Sequence, residues 1–178
     1  MFIFSSPCNP SGTVYTRSEL EGLARVMAEC KELYIISDEI YEHINFSGKH
    51  ESIAQFDFIK EQVIIVNGVS KGYAMTGWRI GYAAASPQIA KAITKIESHL
   101  TGNACSISQK AACKAIQNNV EDQSDLKKMQ EAFQRRRDLG YKLLSQIEGL
   151  QCRMPQGAFY LFPEASAFYG KSYQGKTI

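Results

Sequence analysis

The chain of 178 residues carries 20 basic and 18 acidic side chains, so its formal net charge at pH 7 is only +2, which is too small to predict nucleic-acid or membrane partners. No apolar run approaches the length of a membrane span, and the five cysteines show no C-x-x-C spacing. We therefore expect a cytoplasmic protein with reduced thiols and a buried core, without a disulfide framework or a metal site.

The first half of the chain alternates predicted strands and helices. Residues 1–4 are predicted to form a strand, and residues 16–19 have the spacing of a capping box that begins a helix. The apolar residues of this helix recur on one face, which consists of Leu20, Leu23, Ala24 and Met27. Residues 33–37 and 63–66 are predicted buried strands, and residues 79–84 are predicted to form a strand that returns across the sheet.

Two further helices are predicted in the second half. One begins at Ser86 and Pro87, with proline in the first turn and an apolar stripe of Ile89, Ile93, Ile96 and Leu100. The other is long, is capped near Ser124 and ends at Gly149. Its predicted inward side chains are Leu126, Met129, Phe133, Leu143 and Ile147.

The remaining segments of the second half are predicted as surface and core. Residues 135–137, a run of three arginines, are predicted to be a solvated face rather than a binding patch. Residues 159–162 are predicted to form a short strand whose aromatic side chains belong to the core. Residues 170–178 have the composition of a loop.

These elements predict an α/β fold, with a mostly parallel sheet flanked by helices in residues 1–118 and part of a smaller α+β domain in residues 119–178. In open α/β sheets, ligands bind at the carboxyl ends of the strands. Asn9, Asp38 and Lys71 each follow a predicted strand end. We therefore expect the three side chains to share one site.

The residue types around Lys71 indicate a particular cofactor. A lysine amine at the end of a buried strand can lose its proton near neutral pH and form a Schiff base, because desolvation and nearby positive charge disfavour the ammonium form. Ser70 and Arg79 can bind a phosphate by charge-assisted hydrogen bonds, and Asp38 can keep a pyridine nitrogen protonated. Together they predict a site for pyridoxal 5'-phosphate.

Three motifs, in residues 6–12, 38–41 and 67–82, resemble the class I/II pyridoxal-phosphate aminotransferases, and within them the bacterial aspartate aminotransferases. The similarity continues through residues 133–138 and 155–163. It implies the fold called fold type I. Any one motif is weak, but three in the family's order and spacing are specific.

The resemblance implies a role for each matched residue. Lys71 would form the Schiff base with the cofactor and later move the substrate's α-proton. Asp38 would pair with the pyridine nitrogen. Tyr41 and Asn9 would hydrogen-bond the ring hydroxylate, and Asn9 would also contact the substrate carboxylate.

The resemblance also implies that Ser70 and Arg79 would hold the phosphate. Many relatives have a hydroxyl residue where this chain has Gly68, so that turn is expected to contribute less to phosphate binding. The resemblance also predicts a cis peptide between Asn9 and Pro10.

The expected activity of the parent enzyme is transamination between an amino acid, aspartate, and a 2-oxo acid, 2-oxoglutarate, by a homodimer. Three alternatives stay open: an aromatic or prephenate aminotransferase, a β-lyase of the same fold, and a non-catalytic sensing domain of a transcription regulator. The resemblance also places a phosphate-binding glycine turn, an aromatic ring that stacks on the cofactor and a carboxylate-binding arginine outside these residues. We therefore expect an internal fragment that is inactive by itself.

Overall fold

A computed structural model describes residues 1–177, including all side chains in that range except those of residues 119–121 and 173. Its main sheet has four strands in chain order, the first three parallel and the fourth antiparallel to the third. The strands are β1 (Phe2–Ser5), β2 (Ile35–Asp38), β3 (Val63–Gly68) and β4 (Gly81–Ala84). This mixed, mostly parallel sheet confirms the predicted fold class.

The register of the sheet brings the carboxyl ends of β1, β2 and β3 to one edge. Ser5 lies opposite Asp38, and Asp38 lies opposite Val66. Because the three strands run in the same direction, the segments that follow them leave the sheet on the same side. Asn9, Asp38 and Lys71 therefore all lie at or beyond this edge.

Helix α1 (Arg17–Ala28) crosses from β1 to β2 and begins at the predicted capping box. The Glu19 N–H donates to the Thr16 hydroxyl oxygen at 3.3 Å, and the Thr16 N–H donates to the Glu19 carboxylate at 2.8 Å. Two backbone donors that the first helical turn leaves unpaired are thereby satisfied.

Replacing Thr16 by alanine is expected to reduce the free energy of unfolding by about 1 kcal/mol, because the N-cap hydroxyl is lost. Urea unfolding followed by circular dichroism measures this change. Thr16→Ser keeps the hydroxyl, so its free energy of unfolding should lie within about 0.3 kcal/mol of that of the unaltered chain. Equal losses in the two variants would contradict the capping role.

The main core lies between α1, the sheet and two short 3₁₀ helices, Ile53–Gln55 and Asp57–Gln62. The predicted apolar face of α1 is confirmed: three of its side chains are buried and Leu23 packs against them. The buried members of this core are Leu20, Ala24, Met27, Ile35, Ile53, Phe56, Ile59 and Val63.

Three more helices follow the sheet: α2 (Pro87–Leu100), α3 (Ser106–Glu121) and α4 (Ser124–Leu144). Helix α2 begins at Pro87 as predicted, but its apolar stripe is not buried, and Leu100 is 76% exposed. Apolar spacing defines a face but does not supply a partner for it, and none of the described elements covers this one. Helix α3 is absent from the predicted elements; its described buried residues are only Ser108 and Ala112.

Helix α4 begins at Ser124, close to the predicted cap, where the Asp122 carboxylate accepts hydrogen bonds from the Ser124 N–H (2.8 Å) and hydroxyl (3.0 Å). The prediction that it runs to Gly149 is wrong. Residues 145–147 continue in tighter turns, and the predicted inward residues Leu143 and Ile147 are exposed. Those shorter turns rotate the Ile147 side chain away from the helical stripe, whereas Leu143 is exposed within α4 itself.

The predicted strand over residues 159–162 does not form, and the chain there is irregular. Residues 172–177, predicted as loop, instead form an antiparallel hairpin of β5 (Ser172–Tyr173) and β6 (Lys176–Thr177). Gln174 and Gly175 both have positive φ, as the favoured two-residue hairpin turns require. Ile178 lies outside the described residues, and the domain boundary after residue 118 stays a prediction.

Within residues 1–177, none of the helices combines the length and apolar character needed to cross a membrane.

Candidate active site

The segment 155–158 lies between two loops at the carboxyl edge of the sheet. The Gly12 carbonyl accepts hydrogen bonds from the N–H groups of Gln156 (2.8 Å) and Gly157 (2.9 Å). On the other side, the Ala158 N–H donates to the Ile44 carbonyl at 2.8 Å. These bonds hold a distant part of the chain against the turns that follow β1 and β2.

The turn after β1 contains two cis peptides, Ser6–Pro7 and Asn9–Pro10. The second confirms the prediction, and the first was not predicted. Gly157 lies so close to this turn that an added Cβ would be 2.6 Å from the Cβ of Pro7. Only a residue without a side chain fits at position 157 without displacing its neighbours.

Helix α4 braces the same segment through Arg137. Its Nη1 donates to the Pro155 carbonyl at 3.2 Å, and its guanidinium lies 4.6 Å from the centre of the Phe46 ring. The predicted solvated face is therefore wrong for Arg137, whose side chain is mostly buried, although Arg135 and Arg136 are exposed. A planar guanidinium can stack on a ring while its edge donates hydrogen bonds, so burial costs it little.

The braced segment carries Tyr160 to the end of the sheet, where its hydroxyl meets two predicted site residues. The Tyr160 oxygen lies 2.6 Å from the Tyr41 hydroxyl and accepts a 3.2 Å hydrogen bond from the Asn9 side-chain amide. Asn9, Tyr41 and Tyr160 are hereafter called the hydroxyl cluster. Tyr41 is 3% exposed and belongs to a second small core with Ile44 and Ala158.

The environment of Tyr41 keeps its phenol protonated. Burial is the largest cause that raises the pKa of Tyr41 above its ordinary value of 10.0, and the hydrogen bond and charge of Tyr160 and the Asp38 carboxylate raise it further. The hydrogen bond from Asn9 acts in the opposite direction. Tyr41 is therefore a neutral hydrogen-bond donor at physiological pH.

Asp38 is the last residue of β2 and is half-buried beside this cluster. Its Oδ1 accepts a 3.1 Å hydrogen bond from the Ile40 N–H, which fixes the orientation of the carboxylate. Its negative charge is one of the causes that raise the pKa of Tyr41.

Lys71 reaches the site through the ring of Phe159. The Lys71 amine lies 5.7 Å from the centre of that ring, and the ring packs edge-on against Tyr41 at a centroid distance of 5.3 Å. The Ala74 N–H donates to the Lys71 carbonyl at 3.2 Å, which holds the turn around the lysine. Contacts thus connect Lys71 through Phe159 to Tyr41, and Tyr41 through Tyr160 to Asn9.

Ser70 and Arg79 are the second and the second-to-last residues of the loop that joins β3 to β4. A hydrogen bond from the Val69 N–H to the Ile80 carbonyl, 3.3 Å long, closes the base of this loop, so the backbones of the two residues lie side by side. Arg79 itself is exposed, with a φ of 56°, and its Nη1 donates to the Thr76 carbonyl at 3.1 Å. Among the contacts of the described side chains, its guanidinium is paired with Thr76 and not with Ser70.

The backbone also accounts for glycine at position 68. A Cβ added there would lie 2.7 Å from the Ile80 carbonyl oxygen, across the pairing of β3 with β4. A residue with a side chain therefore has no room at position 68 in this backbone arrangement.

Behind Lys71, the loop packs on His43. A Cβ on Gly72 would be 2.4 Å from the His43 ring, and the Tyr73 ring lies edge-on to the same imidazole at 5.4 Å. Burial is the largest cause that lowers the pKa of His43 from 6.5, a nearby His50 lowers it further, and Glu42 opposes the shift. His43 is therefore a neutral packing group under the lysine turn at neutral pH.

This packing predicts a pH dependence of stability. Above pH 6.5 His43 is neutral in both folded and unfolded chains, whereas below 6.5 only the unfolded chain gains the proton readily. The free energy of unfolding should therefore fall as pH decreases below 6.5. His43→Gln should flatten that decline in urea unfolding series, and the exposed His99→Gln should not. A slope unchanged by His43→Gln would contradict this assignment.

Phe159 and Tyr160 are site residues that the sequence pattern did not reveal. They were predicted as core, but Phe159 is 39% exposed and both contact predicted site residues. The left-handed backbone at Ala158 (φ 57°) turns them toward the sheet edge. Because 151 residues separate Asn9 from Tyr160, no local spacing could have linked the two.

Comparison with known proteins identifies the family of the chain. The family model described as aminotransferase class I and II matches residues 1–170. The chain belongs to this family. Among curated relatives of this aminotransferase chain, the aspartate aminotransferase of Bacillus subtilis is 49% identical over 165 residues, which are 92% of the chain and 41% of that protein. The aspartate/prephenate aminotransferase of Cereibacter sphaeroides is 42% identical over an alignment that includes 98% of the chain and 43% of that protein.

Solved aminotransferases share the fold. The aspartate aminotransferase of Rhizobium meliloti superimposes with a TM-score of 0.89 at 40% identity, over 99% of this chain and 44% of that one. The aromatic aminotransferase of Pyrococcus horikoshii superimposes with a TM-score of 0.83 at 40% identity, over 91% of this chain and 43% of that one. The architecture is therefore that of the fold type I aminotransferases, and the chain spans less than half the length of these relatives.

Proposed function

We propose that this chain supplies the pyridoxal-phosphate-binding lysine and its surrounding residues to an aminotransferase. The observation that carries the proposal is the convergence of Asn9, Asp38, Tyr41 and Lys71 at the carboxyl edge of the sheet, in a chain that belongs to the aminotransferase family.

The donor set fits this cofactor. The amine of Lys71 suits the aldehyde of the cofactor, and the oriented carboxylate of Asp38 suits its ring nitrogen. The neutral donors Tyr41 and Asn9 suit its ring oxygen. The cofactor supplies an electron sink that makes the substrate's α-proton removable. Lys71 Nζ would bind the cofactor and carry the α-proton, Asp38 would hold a proton on the ring nitrogen, and Tyr41 and Asn9 would donate to the ring oxygen.

Ser70 and Arg79 are proposed to bind the phosphate. Their adjacency at the base of one loop supports this role, because a hydroxyl and a guanidinium together can bind two phosphate oxygens. Arg79 would exchange its bond with the Thr76 carbonyl for a stronger, charge-assisted bond.

For the whole protein we propose transfer of an amino group from aspartate to 2-oxoglutarate by a cytoplasmic homodimer. The relatives named aspartate aminotransferase support aspartate as the donor. Those named aspartate/prephenate or aromatic aminotransferase support a second candidate, an aromatic or prephenate donor. Turnover of aspartate, phenylalanine, prephenate and cystathionine by the whole protein separates these activities and the β-lyase alternative, and sedimentation tests the dimer.

The lysine assignment can be tested on the chain of 178 residues. We expect that incubation with pyridoxal phosphate, reduction with borohydride and peptide mapping will give a stoichiometric adduct at Lys71. Lys71→Ala should abolish the adduct, and Lys49→Ala, at an exposed position, should leave it unchanged. Low-level modification spread over many lysines would overturn the proposal for this chain. Turnover is expected only where the remaining residues of the longer relatives are also supplied.

A further inference from the structure

The side chains of Asn9 and Tyr41 converge on one atom, the phenol oxygen of Tyr160. The Asn9 amide lies 3.2 Å from it and the Tyr41 hydroxyl 2.6 Å. We propose that Tyr160 is a positioning residue whose hydroxyl holds Asn9 and Tyr41 where both can donate to the ring oxygen of a bound cofactor. This inference rests on the proposed function, which assigns these same two donors to that oxygen.

Tyr160 is held firmly enough to position its neighbours. Ala158, two residues before Tyr160, is buried, has a left-handed backbone and donates to the Ile44 carbonyl. The Tyr160 ring packs edge-on against Tyr41, at a centroid distance of 5.8 Å and an angle of 81°. The hydroxyl is therefore fixed by the backbone on one side and by ring packing on the other.

The proton count of the hydroxyl cluster supports the role. The contact is made by the amide nitrogen of Asn9, which can only donate, so the Tyr160 oxygen accepts that bond. Between the two phenols, either hydroxyl can be the donor. If Tyr160 donates, the proton of Tyr41 is free to point at another acceptor.

An anionic ring oxygen selects that second arrangement. Rotation about two C–O bonds lets the Tyr160 hydroxyl donate to Tyr41 while Tyr41 donates to the ring oxygen, and no heavy atom moves. Donation by Tyr160 also polarises the Tyr41 hydroxyl and strengthens its bond to the anion. The cluster thus passes the influence of Tyr160 to the cofactor through Tyr41.

Tyr160→Phe removes the hydroxyl and keeps the ring, so it tests the coupling directly. Without cofactor, ultraviolet difference absorbance follows ionisation of the phenols. We expect ionisation of Tyr41 to move to lower pH in Tyr160→Phe, because the Tyr160 hydrogen bond and charge no longer raise the pKa of Tyr41. Tyr169→Phe removes an exposed phenol and serves as the matched control. Coincident curves for the two variants would overturn the inference.

Cofactor binding provides the second readout. Tyr160→Phe is expected to weaken the affinity for pyridoxal phosphate by about 3- to 10-fold, the range expected for one hydrogen bond. It should also move the pH titration of the lysine adduct's absorbance to higher pH, because the anionic ring oxygen is less stabilised. A merely structural loss would lower occupancy without moving that titration, and would overturn the inference.

The two proposals fail separately. Absence of an adduct in the unaltered chain contradicts the proposed function, and the phenol titration still decides whether Tyr160 is coupled to Tyr41. An adduct at Lys71 whose affinity and pH titration are the same in Tyr160→Phe and Tyr169→Phe leaves the proposed function standing and overturns the role of Tyr160.

Discussion

Replacing Gly12 by alanine is expected to reduce the free energy of unfolding by about 3 kcal/mol. Gly12 has a φ of +67°, which costs other L-residues about 1–2 kcal/mol. An added Cβ would also lie 2.3 Å from the Pro155 Cβ, and overpacking of this kind costs about 1–3 kcal/mol. Urea unfolding measures the loss, and the Lys71 adduct should decrease with it, because the displaced segment carries Tyr160.

Two other glycines separate the causes. Gly170 has a φ of +75° and nothing within 4 Å of an added Cβ, so Gly170→Ala should lose only the backbone part, about 1 kcal/mol. Gly22 lies within α1 with open space around it, and Gly22→Ala should gain about 0.5–1 kcal/mol. If Gly12→Ala lost no more than Gly170→Ala, the packing of Pro155 on the turn would not be a source of stability.

Replacing Asp38 by asparagine is expected to weaken binding of pyridoxal phosphate by at least about 30-fold, corresponding to about 2 kcal/mol for the loss of one partner of a shielded charge pair. Asparagine keeps the side-chain oxygen that accepts from the Ile40 N–H, so the turn should survive. The carboxylate that holds a proton on the ring nitrogen is lost. Titration of the cofactor absorbance gives the affinity directly and does not depend on turnover.

The matched control is Asp57→Asn, since Asp57 is 95% exposed and forms a surface ion pair with Lys60. We expect its cofactor affinity to equal that of the unaltered chain. Should Asp38→Asn bind as tightly as Asp57→Asn, Asp38 would not be the partner of the ring nitrogen.

Local sequence signals predicted the parts of the fold that depend on short-range contacts. The capping box at Thr16 and Glu19 forms because its four hydrogen-bonding groups lie within one turn. The alternation of apolar strands with α1 predicted a parallel sheet, and that sheet forms. The position of Lys71 after a predicted strand indicated the edge of the sheet at which it lies. These features depend on few residues that are close in sequence.

The features that could not be predicted from the sequence depend on which surfaces of the folded chain pack against one another. The stripe of α2 has the spacing of a buried face, yet no described element covers it. Tyr160 is an aromatic residue of the kind that is typical of a protein core. Its position in the site depends on Gly12 and Ile44, which hold its segment by backbone hydrogen bonds. Backbone groups are the same for every residue type, so such contacts leave little trace in the sequence.

The span between Asn9 and Tyr160 has a consequence for biosynthesis. The hydroxyl cluster joins residues 151 positions apart, so a nascent polypeptide can complete the four-stranded sheet and α1 long before Tyr160 leaves the ribosome. Loop closure over such a distance is slow compared with local folding. The site is therefore assembled late, and a partly synthesised chain should be folded at its sheet while still unable to orient Tyr41.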